Sequence, residues 1–135
     1  MTVETVRITK QGRDQLSKLK SRTGISQWNV LCRWALCLSL SEASWPRPPS
    51  AGERPIEIAW KTFGGEYADL YLALVKQRCA RDGLEVTDQT VTDELHAHVH
   101  RGIAYLAGDP NVKTIETLVA KATGVQSDER IASGA

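Results

Sequence analysis

No run in the 135 residues approaches the roughly 18 to 20 consecutive apolar residues that a membrane span needs. The N-terminal MTVETVRITK lacks the basic-then-apolar pattern of a secretory signal, so a cytoplasmic setting is expected. Cysteine is scarce and unpaired: Cys32, Cys37 and Cys79 are odd in number and form no CxxC motif, which points to reduced, partly buried thiols rather than a disulfide framework. There is no nucleophile elbow, no P-loop and no GxGxxG. Gly64-Gly65 by itself is a turn, and no acid stands paired with a base. A stand-alone enzyme is therefore not expected, nor is a cofactor.

An apolar content of 41% and a charged content of 24% are ordinary for a soluble globular chain. The length suits one domain, assigned to residues 1–125, with a small polar tail over 126–135 expected to fray. Charge is less ordinary. Arg7, Lys10, Arg13, Lys18, Lys20, Arg22 and Arg33 lie in the first 34 residues against only Glu4 and Asp14, a net +5. The other residues hold 10 basic and 14 acidic side chains, a net −4, so the overall +1 conceals a split. A basic end of this kind suits a nucleic-acid surface.

Along the chain, Val3 to Thr9 alternates, with Val6 and Ile8 on one side and Thr5, Arg7 and Thr9 on the other, as in a short strand with one buried face. Thr9 is a good N-cap for a helix over Lys10 to Thr23. In that helix Leu16, Leu19 and Gly12 form a thin buried line, and Lys10, Arg13, Lys18, Lys20 and Arg22 spread over the opposite arc. Gly24 suits the left-handed residue that ends it. Ser26 reads as the N-cap of a second helix to about Leu40, which is apolar nearly all round and so must be buried on most sides. Burial of that kind in a small chain implies an oligomer.

Four of the five prolines fall in Ser44 to Pro55, which reads as a surface loop, with a partner-binding arm as the alternative. Ile56 to Phe63 alternates like a strand. Glu66 to Arg81 reads as a helix with Leu70, Leu74 and Val75 spaced for burial. Thr90 or Thr92 caps another to about Ala107, with Leu95, Val99, Ile103 and Leu106 as its core line. Gly108-Asp109-Pro110 is a turn, and a last helix runs from Thr114 to about Ala122, closed by Gly124. The fold class is thus mainly α, with an N-terminal strand–helix–helix unit of the ribbon-helix-helix kind.

His96, His98 and His100 form an HxHxH run. On a helix His96 and His100 share a face at a spacing that can hold zinc, while His98 points away, and no third ligand stands at a recognised spacing. Cys32 and Cys37 are about 140° apart around their helix and do not converge. No metal site is expected. The basic helix is the stronger candidate. The turn Thr23-Gly24-Ile25-Ser26 offers backbone N–H groups at a helix N-terminus, a suitable phosphate contact.

Five blocks carry a family resemblance: KLKSRTGIS (18–26), VLCRWALCLSL (30–40), WKTFGGEYADLYLALVKQRC (60–79), HRGIAYLAGD (100–109) and TIETLVAKA (114–122). Together, and in this order, they resemble the DndE family of the bacterial DNA phosphorothioation system, which replaces a non-bridging phosphate oxygen with sulfur. The resemblance implies a small helical protein that assembles as a homotetramer and binds duplex, preferentially nicked, DNA through surface lysines. It implies that the sulfur chemistry lies in partners: a cysteine desulfurase, an ATP-pyrophosphatase-like sulfur-transfer enzyme and an SMC-like ATPase. On this chain the lysine surface falls on Lys18 and Lys20, with Lys10 beside them. Arg13 and Arg22 join from the helical wheel, and Thr23, Gly24 and Ser26 from the turn. Two alternatives stand beside this reading. One is a ribbon-helix-helix-like regulator that reads bases with Thr5, Arg7 and Thr9. The other is a scaffold acting mainly through protein partners.

Overall fold

The computed structural model describes residues 3–123. Strand β1 (Thr5–Ile8) leads into α1 (Lys10–Thr23) and α2 (Trp28–Leu40); a long connection then reaches β2 (Ile56–Ala59). After it come the short α3 (Trp60–Gly64), a 3₁₀ turn (Gly65–Tyr67), α4 (Ala68–Arg81), α5 (Asp88–Gly108) and α6 (Ile115–Thr123). The protein is mainly helical, and its strand–helix–helix start lies where the sequence puts it. β1 pairs antiparallel with β2 of the same chain, Val6 opposite Ile58 and Ile8 opposite Ile56. The alternation of β1 does what its pattern requires: Val6 and Ile8 are fully buried and Arg7 is exposed.

α5 is the axis of the core. Val91, Leu95, Val99, Ile103 and Leu106 run down its inner face, and all are buried. Against it lies α2, whose buried residues are Leu31, Cys32, Ala35, Leu36 and Ser39. Gly102 sits at the crossing, where a Cβ would overlap the Ala35 backbone carbonyl. The helices approach this closely because the position has no side chain. α1 packs beside α5 through Leu16, Leu19 and Gly12.

Local chemistry sets the ends of α1. The Thr9 hydroxyl accepts from the Gly12 amide, and Gly24 takes φ 76° while its N–H donates to the Lys20 carbonyl. Other boundaries differ from the sequence reading. Helix α2 begins at Trp28 with Gln27 before it and no side-chain cap, so Ser26 is one residue too early to serve. The strand predicted over 56–63 stops at Ala59, and Trp60 and Phe63 turn inward from α3 as stacked rings 5.3 Å apart. The predicted helix over 66–81 starts with the 3₁₀ turn. Its inner face is Val75, Arg78 and Cys79, and Leu70 and Leu74 are left 54% and 36% exposed. The α5 cap is Thr87, whose hydroxyl accepts from the Thr90 amide, rather than Thr90 or Thr92. Helix α6 ends at Thr123 among the described residues; Gly124 and the tail lie outside them.

Overpacking a core usually costs about 1–3 kcal/mol, and here the clash is with backbone, which cannot rotate away. Gly102→Ala should therefore lower the unfolding free energy by the upper part of that range, read as a lower urea midpoint at unchanged slope. A variant as stable as the parent would mean that α2 and α5 can part without loss.

Candidate nucleic-acid interface

Three lysines of α1 stand out in solvent. Lys10, Lys18 and Lys20 are exposed, and none is in an ion pair among the described residues. Arg13 is half-buried on the same helix, 3.5 Å from the Asp14 carboxylate, which offsets part of its charge. The helix can present this face because Leu16 and Leu19 bury the other one.

Arg22 is placed differently. Its guanidinium turns inward and donates to the carbonyls of Ala107 at 2.7 Å, Asp109 at 3.1 Å and Leu106 at 3.4 Å. These belong to the last turn of α5, where carbonyls lack helical partners and a cation is favoured. Arg22 thus ties the end of α1 to the end of α5 and leaves the exposed row. The turn after α1 is also more occupied than its sequence suggests. The Thr23 hydroxyl donates to the Leu19 carbonyl and accepts from the Ile25 amide, and the Gly24 amide is already bonded. The remaining donors are those of the first turn of α2, with the exposed Ser26 just before them.

The histidines that suggested zinc hold β1 instead. One edge of β1 pairs with β2, and its other edge donates to α5: Arg7 N–H to His96 Nε2 at 3.0 Å and Thr9 N–H to His100 Nε2 at 3.1 Å. Each ring's Nδ1 lies 2.7 Å from the carbonyl four residues back, Thr92 for His96 and His96 for His100. This network requires neutral rings with the proton on Nδ1. The i, i+4 spacing that can hold zinc is also the spacing of alternate amides on a strand edge.

His98 does point the other way, into a buried cluster that was not evident in the sequence. Arg78, 5% exposed, donates through Nε to both Asp82 oxygens at 3.0 and 3.1 Å and through its other nitrogens to the carbonyls of Leu40, Ala43 and Ser44. Arg101 donates to the Ser39 hydroxyl and carbonyl and to Ser44, and Ser39 Oγ lies 2.8 Å from His98 Nδ1. Ligand atoms of Asp82, Glu94 and His98 fall within 4.8 Å of one another. One imidazole and two carboxylates are a plausible donor set for a divalent cation. Arg78, however, already supplies a cation to Asp82. Ser39 Oγ accepts from Arg101 and is free to donate to His98 Nδ1, which leaves the proton of a neutral ring on Nε2, a buried atom with no hydrogen-bond partner among the described residues. The cluster is a buried ion pair with a neutral imidazole beside it. The only sequence signal for it was a charged residue, Arg78, on the apolar face of α4.

Burial lowers the pKa of His96 and His100, partly offset by their bonds to carbonyls. Burial, then Arg78 and Arg101, brings His98 down to about 4. Cys32, buried in α2, is pushed up to about 12 and offers no thiolate.

The fold and surface together define a mainly helical domain that opens on a strand, a basic helix and an apolar helix. The model of the DndE family, described as DNA sulphur modification protein DndE, matches residues 5–114, and the chain belongs to this family. Among solved structures it is similar to DndE from Escherichia coli B7A, which is involved in DNA phosphorothioation modification. The two are 25% identical with a TM-score of 0.62, over 78% of this chain and 98% of that one. No curated protein matches the chain.

The lowered histidine values give a pH dependence of known sign. The unfolded rings take up protons near pH 6.5 while the folded rings resist, so this stability is present above about pH 6.5 and is lost as pH falls through the folded values. The urea midpoint should fall steadily from pH 7 towards pH 4, and more gently in His96→Gln/His100→Gln, since a glutamine carbonyl can accept from the strand without titrating. Equal slopes in the two proteins would remove the histidine clamp from the account.

Proposed function

We propose that the chain is a non-catalytic, DNA-binding subunit of the phosphorothioation machinery, holding duplex DNA by its phosphates. The observation that carries this reading is the set Lys10, Lys18 and Lys20, spread over the outer arc of α1, exposed and without ion pairs among the described residues, in a chain of the DndE family. Such a set binds phosphate with little sequence preference. Arg13 and Ser26 flank it. Thr23, Gly24 and Arg22 shape the end of the helix. A preference for nicked duplex belongs to the same reading.

Assembly fits as well. Tyr67, Leu70 and Leu74 on and beside α4 are exposed apolar side chains, the kind of surface that a further copy or a sulfur-transfer partner would cover. A homotetramer that repeats these lysines would grip DNA at several points. The sulfur-transfer enzyme and the SMC-like ATPase are then its working partners, in the cytoplasm. No described helix is long and apolar enough to cross a membrane. The ribbon-helix-helix regulator is disfavoured by the strand: Thr9 is buried and caps α1, and Arg7 is paired with Glu57 at 2.9 Å.

Lys18→Glu/Lys20→Glu should abolish duplex binding at moderate salt while light scattering reports an unchanged assembly. In the parent, log K against log salt should fall by about 0.9 per phosphate contacted, and single lysine-to-alanine variants should each reduce that slope by about 1. Arg22→Ala should lower the melting temperature and leave the slope as it is. A double mutant that binds duplex like the parent would overturn the assignment of the site.

A further inference from the structure

Between α1, α5 and the proline-rich connection lies an open cleft of about 730 Å³. Its volume is within the range of small-molecule sites, roughly 300–1,000 Å³. Among the described residues no carboxylate lines it, although the chain has almost as many acidic as basic residues. The lining instead combines two arginines, Arg47 and Arg101, with two aromatic rings, Trp45 and Tyr105, and the side-chain amides of Gln11 and Gln15.

The aromatic rings are presented to solvent on a fixed frame. Trp45 is 62% exposed and Tyr105 39%. The residue before Trp45 is clamped, because the Ser44 carbonyl accepts from Arg78 at 2.7 Å and from Arg101 at 2.9 Å. Pro46, Pro48 and Pro49 stiffen the chain that follows. At the far end of the connection the Lys10 amide donates to the Glu53 carbonyl at 3.2 Å. The Arg101 guanidinium, held by Ser39 and Ser44, lies 5.7 Å from the centre of the Tyr105 ring. Arg47 is exposed and has no ion pair among the described residues. An exposed tryptophan on a stiff, doubly held loop, beside a free cation and away from acids, is suited to a flat, electron-rich, negatively charged ligand. A base with its phosphate is one.

The cleft also runs on to one of the exposed lysines. Gln11, Gln15 and Lys18 follow one another at i, i+4 and i+7, along a single face of α1. We propose that this cleft receives an unpaired nucleobase of single-stranded DNA, stacked on Trp45, with Arg47 against the adjoining phosphate and the amides of Gln11 and Gln15 at the base edge. The backbone then runs on towards Lys18. The inference rests on the DNA-binding reading above and adds to it a place for a strand that has left the duplex.

The test measures binding of the full chain to a labelled oligothymidylate and to an intact duplex, side by side. Trp45→Ala should weaken oligothymidylate binding about tenfold or more and leave duplex binding unchanged, Trp45→Phe should restore most of the loss, and Lys18→Glu/Lys20→Glu should weaken both. Because Trp45 is on the surface, melting temperatures of its variants should match the parent. If Trp45→Ala holds oligothymidylate as tightly as the parent, or if the parent binds duplex but no oligothymidylate, the cleft is overturned while the lysine reading stands. Binding of neither DNA overturns both.

Discussion

Where α2 and α5 cross, the absence of a side chain at Gly102 lets the Ala35 carbonyl come against the backbone of the opposite helix. Much else depends on that approach. It puts Ser39, one turn on from Ala35, within 2.8 Å of His98, one turn before Gly102, and of Arg101, the residue beside Gly102, and so converts two helices into a joint with polar bonds inside it. Arg78 of α4 then closes the joint from the other side through the carbonyls that end α2. A buried guanidinium has to be answered by acceptors, and backbone carbonyls beyond a helix end are the acceptors the chain has to spare. The start of the proline-rich connection is fixed as a result.

α5 carries three different loads on three faces. Its apolar line makes the core. His96 and His100 hold the free edge of β1, and the carbonyls at its C-terminus receive Arg22. Among the described residues strand β1 has no sheet beyond β2 to complete its hydrogen bonds, so a helix with two neutral imidazoles serves in place of a third strand. This is how a two-stranded ribbon, marginal by itself, persists in a helical protein. It also commits β1 to the interior and leaves α1 as the element facing outwards.

The charge arrangement of α1 follows from that division. Cations with a structural partner, such as Arg22, are drawn to helix ends and carbonyls; Lys10, Lys18 and Lys20 keep to the solvent face. Formal charge alone does not separate the two groups, because both lie on the same polar arc of one helix. What separates them is whether another element's C-terminus is within reach of the side chain.

Much of the fold was legible before any coordinates. The alternation of Val6 and Ile8, the Thr9 cap, the Gly24 stop, the thin stripe of Leu16 and Leu19 and the core line of α5 are local patterns, and local physics decides them. The patterns that left the outcome open were those in which period admitted two answers. Leu70 and Leu74 have helical spacing, yet the face of α4 turned inward was the one carrying Arg78 and Cys79. His96 and His100 have ligand spacing, yet the same spacing matches two strand amides. Sequence by itself determined the types of the longer elements, though not that of α3, together with the polarity of α1 and the membership of the family. Tertiary structure alone decided which basic residues remain exposed, what the histidines hold, and that Trp45 lines a cleft to which no described residue brings a carboxylate. These depend on which groups meet across large separations along the chain, and the partner of a side chain is not written in its own neighbourhood.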